Sequence, residues 1–176
     1  MEKVVIEATR RSVTGKQVGA LRRSGKLPGV MYGHNFEAVA IEMDTRSASR
    51  ILHSATRSQI ITIALDGKEF ASLVRERQKD YIRNEFLHID FQVVSLTEKI
   101  RTKVSIELTG VAPAVKDFNG VVVQEMNEIE VEGLPGDLPE RIVVDISGMT
   151  TLSSAITVGD LNVTDKVQIH KSPEEV

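Results

Sequence analysis

The 176-residue sequence contains no cysteine and no tryptophan, and aromatic residues make up only 4% of it. Without cysteine there is no disulfide framework, no thiolate zinc site and no cysteine nucleophile. With so few rings, any core must be built from Val, Ile and Leu. No apolar run approaches the roughly 18–20 residues of a membrane span, so no membrane partner is expected. The opening MEKVVIEATRR holds neither the apolar stretch nor the small-residue cleavage site of a secretory signal, and the expectation is a cytoplasmic protein.

Catalytic and metal signatures are also lacking. Gly15-Lys16 would suit a phosphate-binding loop, but Arg10 stands where that motif needs glycine and Gln17 where it needs Ser or Thr. His34, His53, His88 and His170 are scattered, with no helical i, i+4 pair and no HExxH. Hence no metal, no cofactor and no small-molecule substrate are expected, and the chain does not read as an enzyme.

What is present is an uneven distribution of charge. The chain carries a formal charge of −3, yet residues 10–33, RRSVTGKQVGALRRSGKLPGVMYG, hold six Lys or Arg, five Gly and no acid. Residues 1–95 contain 15 Lys or Arg against 11 Asp or Glu, whereas residues 96–176 contain 7 against 14. Such asymmetry predicts two domains with different partners, a basic one over 1–95 and an acidic one over 96–176. The competing reading of a basic loop is a merely solvated face.

The pattern is mainly β. Strands are expected at Val4–Ala8, Gly29–Gly33 and Ala38–Met43, and short helices at Lys16–Ser24 and, capped by Asp44, at Thr45–Ser54. QIITIAL and KEFASLV flank Asp66-Gly67, a type I′ turn dipeptide that predicts a β-hairpin. A polar stretch, RERQKDYIRNE, precedes FLHIDFQVV, whose alternation places Leu87, Ile89, Phe91 and Val93 on one face and His88, Asp90 and Gln92 on the other. The first domain is therefore expected to be a β-barrel with two short helices. Beyond a linker at Ser95–Lys99, KVSIELTG, VVVQEMNEIEVEG, RIVVDISG, AITV and KVQIH predict a second all-β domain.

His88 and Asp90 share a strand face and admit three readings: a base with its orienter, a solvated hydrogen bond, or polar contacts offered to a ligand. No serine sits in a strained elbow to serve as nucleophile, and the solvated pair outweighs catalysis. The ligand reading fits the basic segment. Arg11, Lys16, Arg22 and Arg23 supply cations for phosphates, and Tyr32 adds a ring and a hydroxyl. Gln78 and Arg83 add an amide and a guanidinium ahead of the His88 strand.

RSVTGKQVGALRRSGKLPGVMYG, followed by Gln78, nine residues and His88-Ile-Asp-Phe, resembles the bacterial large-subunit ribosomal protein L-twenty-five family. The similarity extends through the second half and points to the two-domain, general stress protein Ctc type. The resemblance implies a non-catalytic protein that binds 5S rRNA at the central protuberance of the 50S subunit, beside neighbouring ribosomal proteins or rRNA. It assigns RNA contact to Arg11 or Arg10, to Arg22, Tyr32, Gln78, His88 and Asp90, with Lys16, Arg23 and Arg83 as further phosphate contacts. Where some relatives carry extra arginines, this chain has Gly19 and Ala20. The alternative is a stress-regulated protein–protein adaptor acting through the acidic domain.

Overall fold

Asp66 and Gly67 both take positive φ, 52° and 76°, the type I′ geometry that matches the twist of the strands it joins. Those strands are β4 (Ile61–Leu65) and β5 (Lys68–Asp80). The computed structural model describes residues 4–34, 36–164 and 166–171, and the chain divides into two units, Met1–Glu98 and Lys99–Val176.

In the first unit β1 (Val5–Arg10) is followed by a 3-10 turn at Gly15–Gln17 and by α1 (Val18–Arg23). Then come β2 (Lys26–Gly33), β3 (Phe36–Asp44), α2 (Thr45–Ser54), the β4–β5 hairpin and β6 (Glu85–Val93). The six strands close into a barrel in the order β1-β3-β2-β6-β5-β4. Its core is aliphatic, as a ring-poor sequence requires: Ile6, Leu27, Met31, Ile41, Ile63 and Ile89 are buried, with Phe91 the one large ring fully enclosed. Asp44 starts α2 by accepting a hydrogen bond from the Ser47 amide at 2.9 Å, and α2 lays Ala48 and Leu52 on the same core. Burying Leu52 alone stabilises the fold by about 1.5–3 kcal/mol.

β2 starts before Pro28, a residue that cannot donate to a ladder. Pro28 pairs with Glu42 of β3, while pairing with β6 begins only at Gly29–Ile89, so its missing N–H falls where β2 has one neighbour. A Cβ on Gly29 would lie 2.8 Å from the Ile89 carbonyl oxygen. Glycine therefore lets β2 and β6 approach.

Two irregularities set which side chains face outward. Val74 pairs with Phe91 and Glu76 with Asp90, leaving Arg75 as an extra residue on β5; Gln78 pairs with His88 and Lys79 with Phe86, leaving Leu87 extra on β6. The second bulge changes the expected alternation: Phe86 is buried and Leu87 half-buried, because one inserted residue shifts the strand's phase. The bulged ladder also extends β5 through RERQKD, a stretch whose sequence reads as a polar connection; Tyr81–Asn84 alone forms the turn.

The second unit is a four-stranded sheet in the order β10-β8-β7-β9. Its strands are β7 (Ile100–Thr109), β8 (Glu128–Gly133), β9 (Arg141–Asp145) and β10 (Gln168–Ile169), with a short helix α3 (Pro113–Phe118) between β7 and β8. Val104, Ile129, Val131 and Ile142 anchor its core. VVVQ at 121–124 and AITV at 155–158 do not join the sheet. Gln124 replaces a ladder in the first of these, its Nε2 donating to the carbonyls of Ile106 and Met126 at 3.3 and 3.0 Å. AITV instead runs into a 3-10 turn at Val158–Asp160, where Thr157 and Asp160 form a capping box.

Candidate nucleic-acid interface

Since Ile89 and Phe91 point into the barrel, His88, Asp90 and Gln92 point out of it, and all three are half-buried. On one side of β6, β2 runs parallel and sets Val30 against Asp90 and Tyr32 against Gln92. On the other side, antiparallel β5 sets Glu76 against Asp90 and Gln78 against His88. The barrel thus brings Tyr32, Gln78, His88 and Asp90 onto one outer face of three adjacent strands.

This face is hydrogen-bonded within itself. His88 Nδ1 lies 2.8 Å from Asp90 Oδ1, with the two side chains 23% and 25% exposed. A hydrogen on Nδ1 directed at the carboxylate leaves Nε2 for an external partner. Gln78 Nε2 donates to Glu76 Oε1 at 3.3 Å, and Arg75 Nε donates to the Gln92 side-chain oxygen at 2.6 Å. Arg75 and Glu76 are members of the face that sequence reading does not single out, whereas alternation along the strand already places Gln92 there. Only the bulge at Arg75 and the cross-strand register reveal the two β5 residues.

The basic segment meets the face through Arg22. Its Nε donates to the carbonyl of Leu87 at 2.9 Å, filling the acceptor at the bulge. Arg23, exposed at the end of α1, folds back so that its Nη1 lies 3.9 Å from where a Gly19 Cβ would stand. Arg83 is exposed in the β5–β6 turn, which Asp80 shapes by accepting from the amides of Ile82 and Arg83 at 2.9 and 3.1 Å. Lys16 lies in the 3-10 turn, but its side chain falls outside the described residues.

Two arginines are placed elsewhere. Arg10 ends β1, three strands from β6 either way round the barrel, and its Nε contacts Asp66 Oδ2 at 2.6 Å. Arg11 is half-buried: Nη1 donates to the Val13 carbonyl at 3.0 Å and Nε is enclosed without a partner. Its visible work is to order the loop that leads into α1.

Among the described residues no group of three or more His, Asp or Glu is positioned to hold a metal, and no helix is long and apolar enough to cross a membrane. The hydrogen-bonding groups of His88, Asp90, Gln78 and Gln92, the Tyr32 ring and the adjoining Arg22 guanidinium are the equipment for a polyanion with readable edges.

Residues 6–91 match the family model described as the Ribosomal L25p family, and residues 99–176 match that of the ribosomal protein TL5 C-terminal domain. The large ribosomal subunit protein bL25 of Moorella thermoacetica is 36% identical over 181 residues, covering all of this chain and 86% of that protein. The chain belongs to the ribosomal L25p family. Proteins of the same name from Geobacillus kaustophilus and Treponema denticola are 34% and 32% identical, with 98% and 99% of this chain and 82% of each relative covered. L25p proteins are structural constituents of the ribosome, so the His88–Asp90 pair is not a catalytic dyad and the chain is not an enzyme.

Proposed function

We propose that this large-subunit ribosomal protein works in the cytoplasm by binding 5S rRNA at the central protuberance, using a basic domain of residues 1–95. One observation carries the reading: Tyr32, Asp90, His88 and Gln78 occupy neighbouring register positions on β2, β6 and β5, with Arg22 fastened beside them at Leu87. Folded RNA exposes a wide, shallow minor groove of sugar hydroxyls and base edges, which suits a stiff sheet face better than a mobile arm. Arg22, Arg23 and Arg83 neutralise phosphates beside the face, Lys16 is a further phosphate contact by its place in the basic segment of the sequence, and Asp90 accepts from a 2′-hydroxyl or an exocyclic amine. Charge supports the division of labour, since the excess of cations lies in residues 1–95 and the excess of acids in 96–176.

The test is a filter-binding titration of the full chain against 5S rRNA over a range of salt concentrations. Engagement of about four phosphates gives a log–log slope of roughly −3 to −4. A 5S affinity no higher than that for an unrelated structured RNA overturns the reading.

A further inference from the structure

We propose that the second unit carries a preformed groove that seats an aliphatic or aromatic side chain from a cationic protein segment of the large subunit. The groove encloses about 320 Å³. Ile106 of β7 and Val144 of β9 line it, together with Ala114 of α3, Val122, Met126 and Leu152. Ile106, Met126 and Val144 also pack against the buried core, so the groove is an open end of that core.

Three of the lining residues are left in water: Val121 is 86% exposed, Val123 75% and Leu152 67%. A cluster of aliphatics at the mouth of a pocket of this size marks a binding site rather than scattered surface apolars. The rim is held in place without a partner. The Gly120 amide donates to the Ala114 carbonyl at 3.2 Å, and Gln124 ties the far end to Ile106 and Met126. A Cβ on Gly120 would lie 2.7 Å from the Leu152 side chain, so glycine lets the two walls meet. A groove already ordered loses little entropy on binding.

Charge decides the occupant. Residues 99–176 hold seven Lys or Arg against 13 Asp or Glu, and Arg101, Arg141 and Lys166 are already paired with Glu132, Glu107 and Asp137. Glu125 is the charged residue that lines the groove. This surface repels an RNA backbone and attracts Lys or Arg flanking an apolar anchor. The inference rests on membership of the large subunit and is independent of the 5S rRNA face.

The experiment places benzoylphenylalanine at Val123 in the full chain, binds it to purified large subunits, irradiates, and identifies adducts by peptide mass spectrometry. The expected adduct is one ribosomal-protein peptide with Lys or Arg within a few residues of a Leu, Ile, Met or Phe. Its yield falls at least fivefold when Leu152→Lys is added, because a cation then sits at the rim. Co-sedimentation with adducts only to rRNA or to the chain itself, or with no adduct, overturns the groove alone. Failure to co-sediment overturns both the groove and the subunit assignment on which it rests.

Discussion

The Nε of Arg22 sits 2.9 Å from the carbonyl oxygen of Leu87, the bulged residue immediately before His88. One hydrogen bond thereby joins the basic segment to the polar face across 65 residues of sequence. Arg22→Ala removes the tether and, on the proposed reading, a phosphate contact. We expect 5S rRNA affinity to fall about tenfold and the log–log salt slope to flatten by roughly 0.7–0.9. Filter binding over a salt series reads both quantities.

Asp90 holds His88 and, on the proposed reading, accepts from the RNA. Asp90→Ala should weaken 5S rRNA binding by about 1–3 kcal/mol, the usual effect of leaving a donor without its acceptor. The salt slope should stay within error of the parent, since no phosphate contact is lost. Unchanged affinity for both Arg22→Ala and Asp90→Ala would show that RNA docks somewhere other than this face.

Arg10 provides the contrast. Its guanidinium is occupied by Asp66 on β1's side of the barrel, over half of each side chain is exposed, and such pairs contribute little to stability. Arg10→Ala should leave both 5S rRNA affinity (within about twofold) and Tm nearly unchanged. A tenfold loss in the same titration would bring Arg10 into the interface.

Gly29 is where β2 and β6 come together. Gly29→Ala forces a Cβ against the Ile89 carbonyl and the Met43 side chain, at 2.8 and 3.1 Å. Overpacking of this kind destabilises by roughly 1–3 kcal/mol. Thermal unfolding should show the lower Tm, and RNA binding should weaken with it, because Tyr32 and Asp90 lie on the two strands that are pushed apart.

Asp44 makes α2 sensitive to acid. Hydrogen bonds from Ser47, its backbone amide first, hold the Asp44 carboxyl below its ordinary value of 3.8. A group with a lowered folded-state pKa stabilises the fold above its unfolded value, and that contribution disappears as pH falls through the folded value. Asp44→Ala should therefore lower Tm at neutral pH. The gap from the parent should narrow as pH drops below about 4, which paired melting curves at several pH values would reveal.

Features that depend on a few neighbouring residues were legible in the sequence. Asp66-Gly67 closes the hairpin, Asp44 caps α2 over Thr45–Ser54, and His88, Asp90 and Gln92 share a face because strand side chains alternate. The helix expected at Lys16–Ser24 divides into a 3-10 turn and α1, and Val18 and Leu21 are only half-buried, so a short stripe predicted the place better than the form. VVVQ misled for a related reason. β-rich composition favours extended backbone, but a strand also needs a partner, and here the Gln124 amide takes the carbonyls.

Sequence alone therefore determined a mainly β chain with a cationic front half, an acidic rear half and a His-x-Asp strand, all consequences of composition and short-range periodicity. Tertiary structure decided which residues stand together: Tyr32 beside Gln92, Glu76 beside Asp90, Arg22 on Leu87, and Arg10 on Asp66 away from them. The physical reason is register. Bulges at Arg75 and Leu87 each shift a strand by one residue, and a shift of one residue exchanges the inner and outer faces. That choice is made by pairing between strands far apart in the chain, where no local pattern reaches.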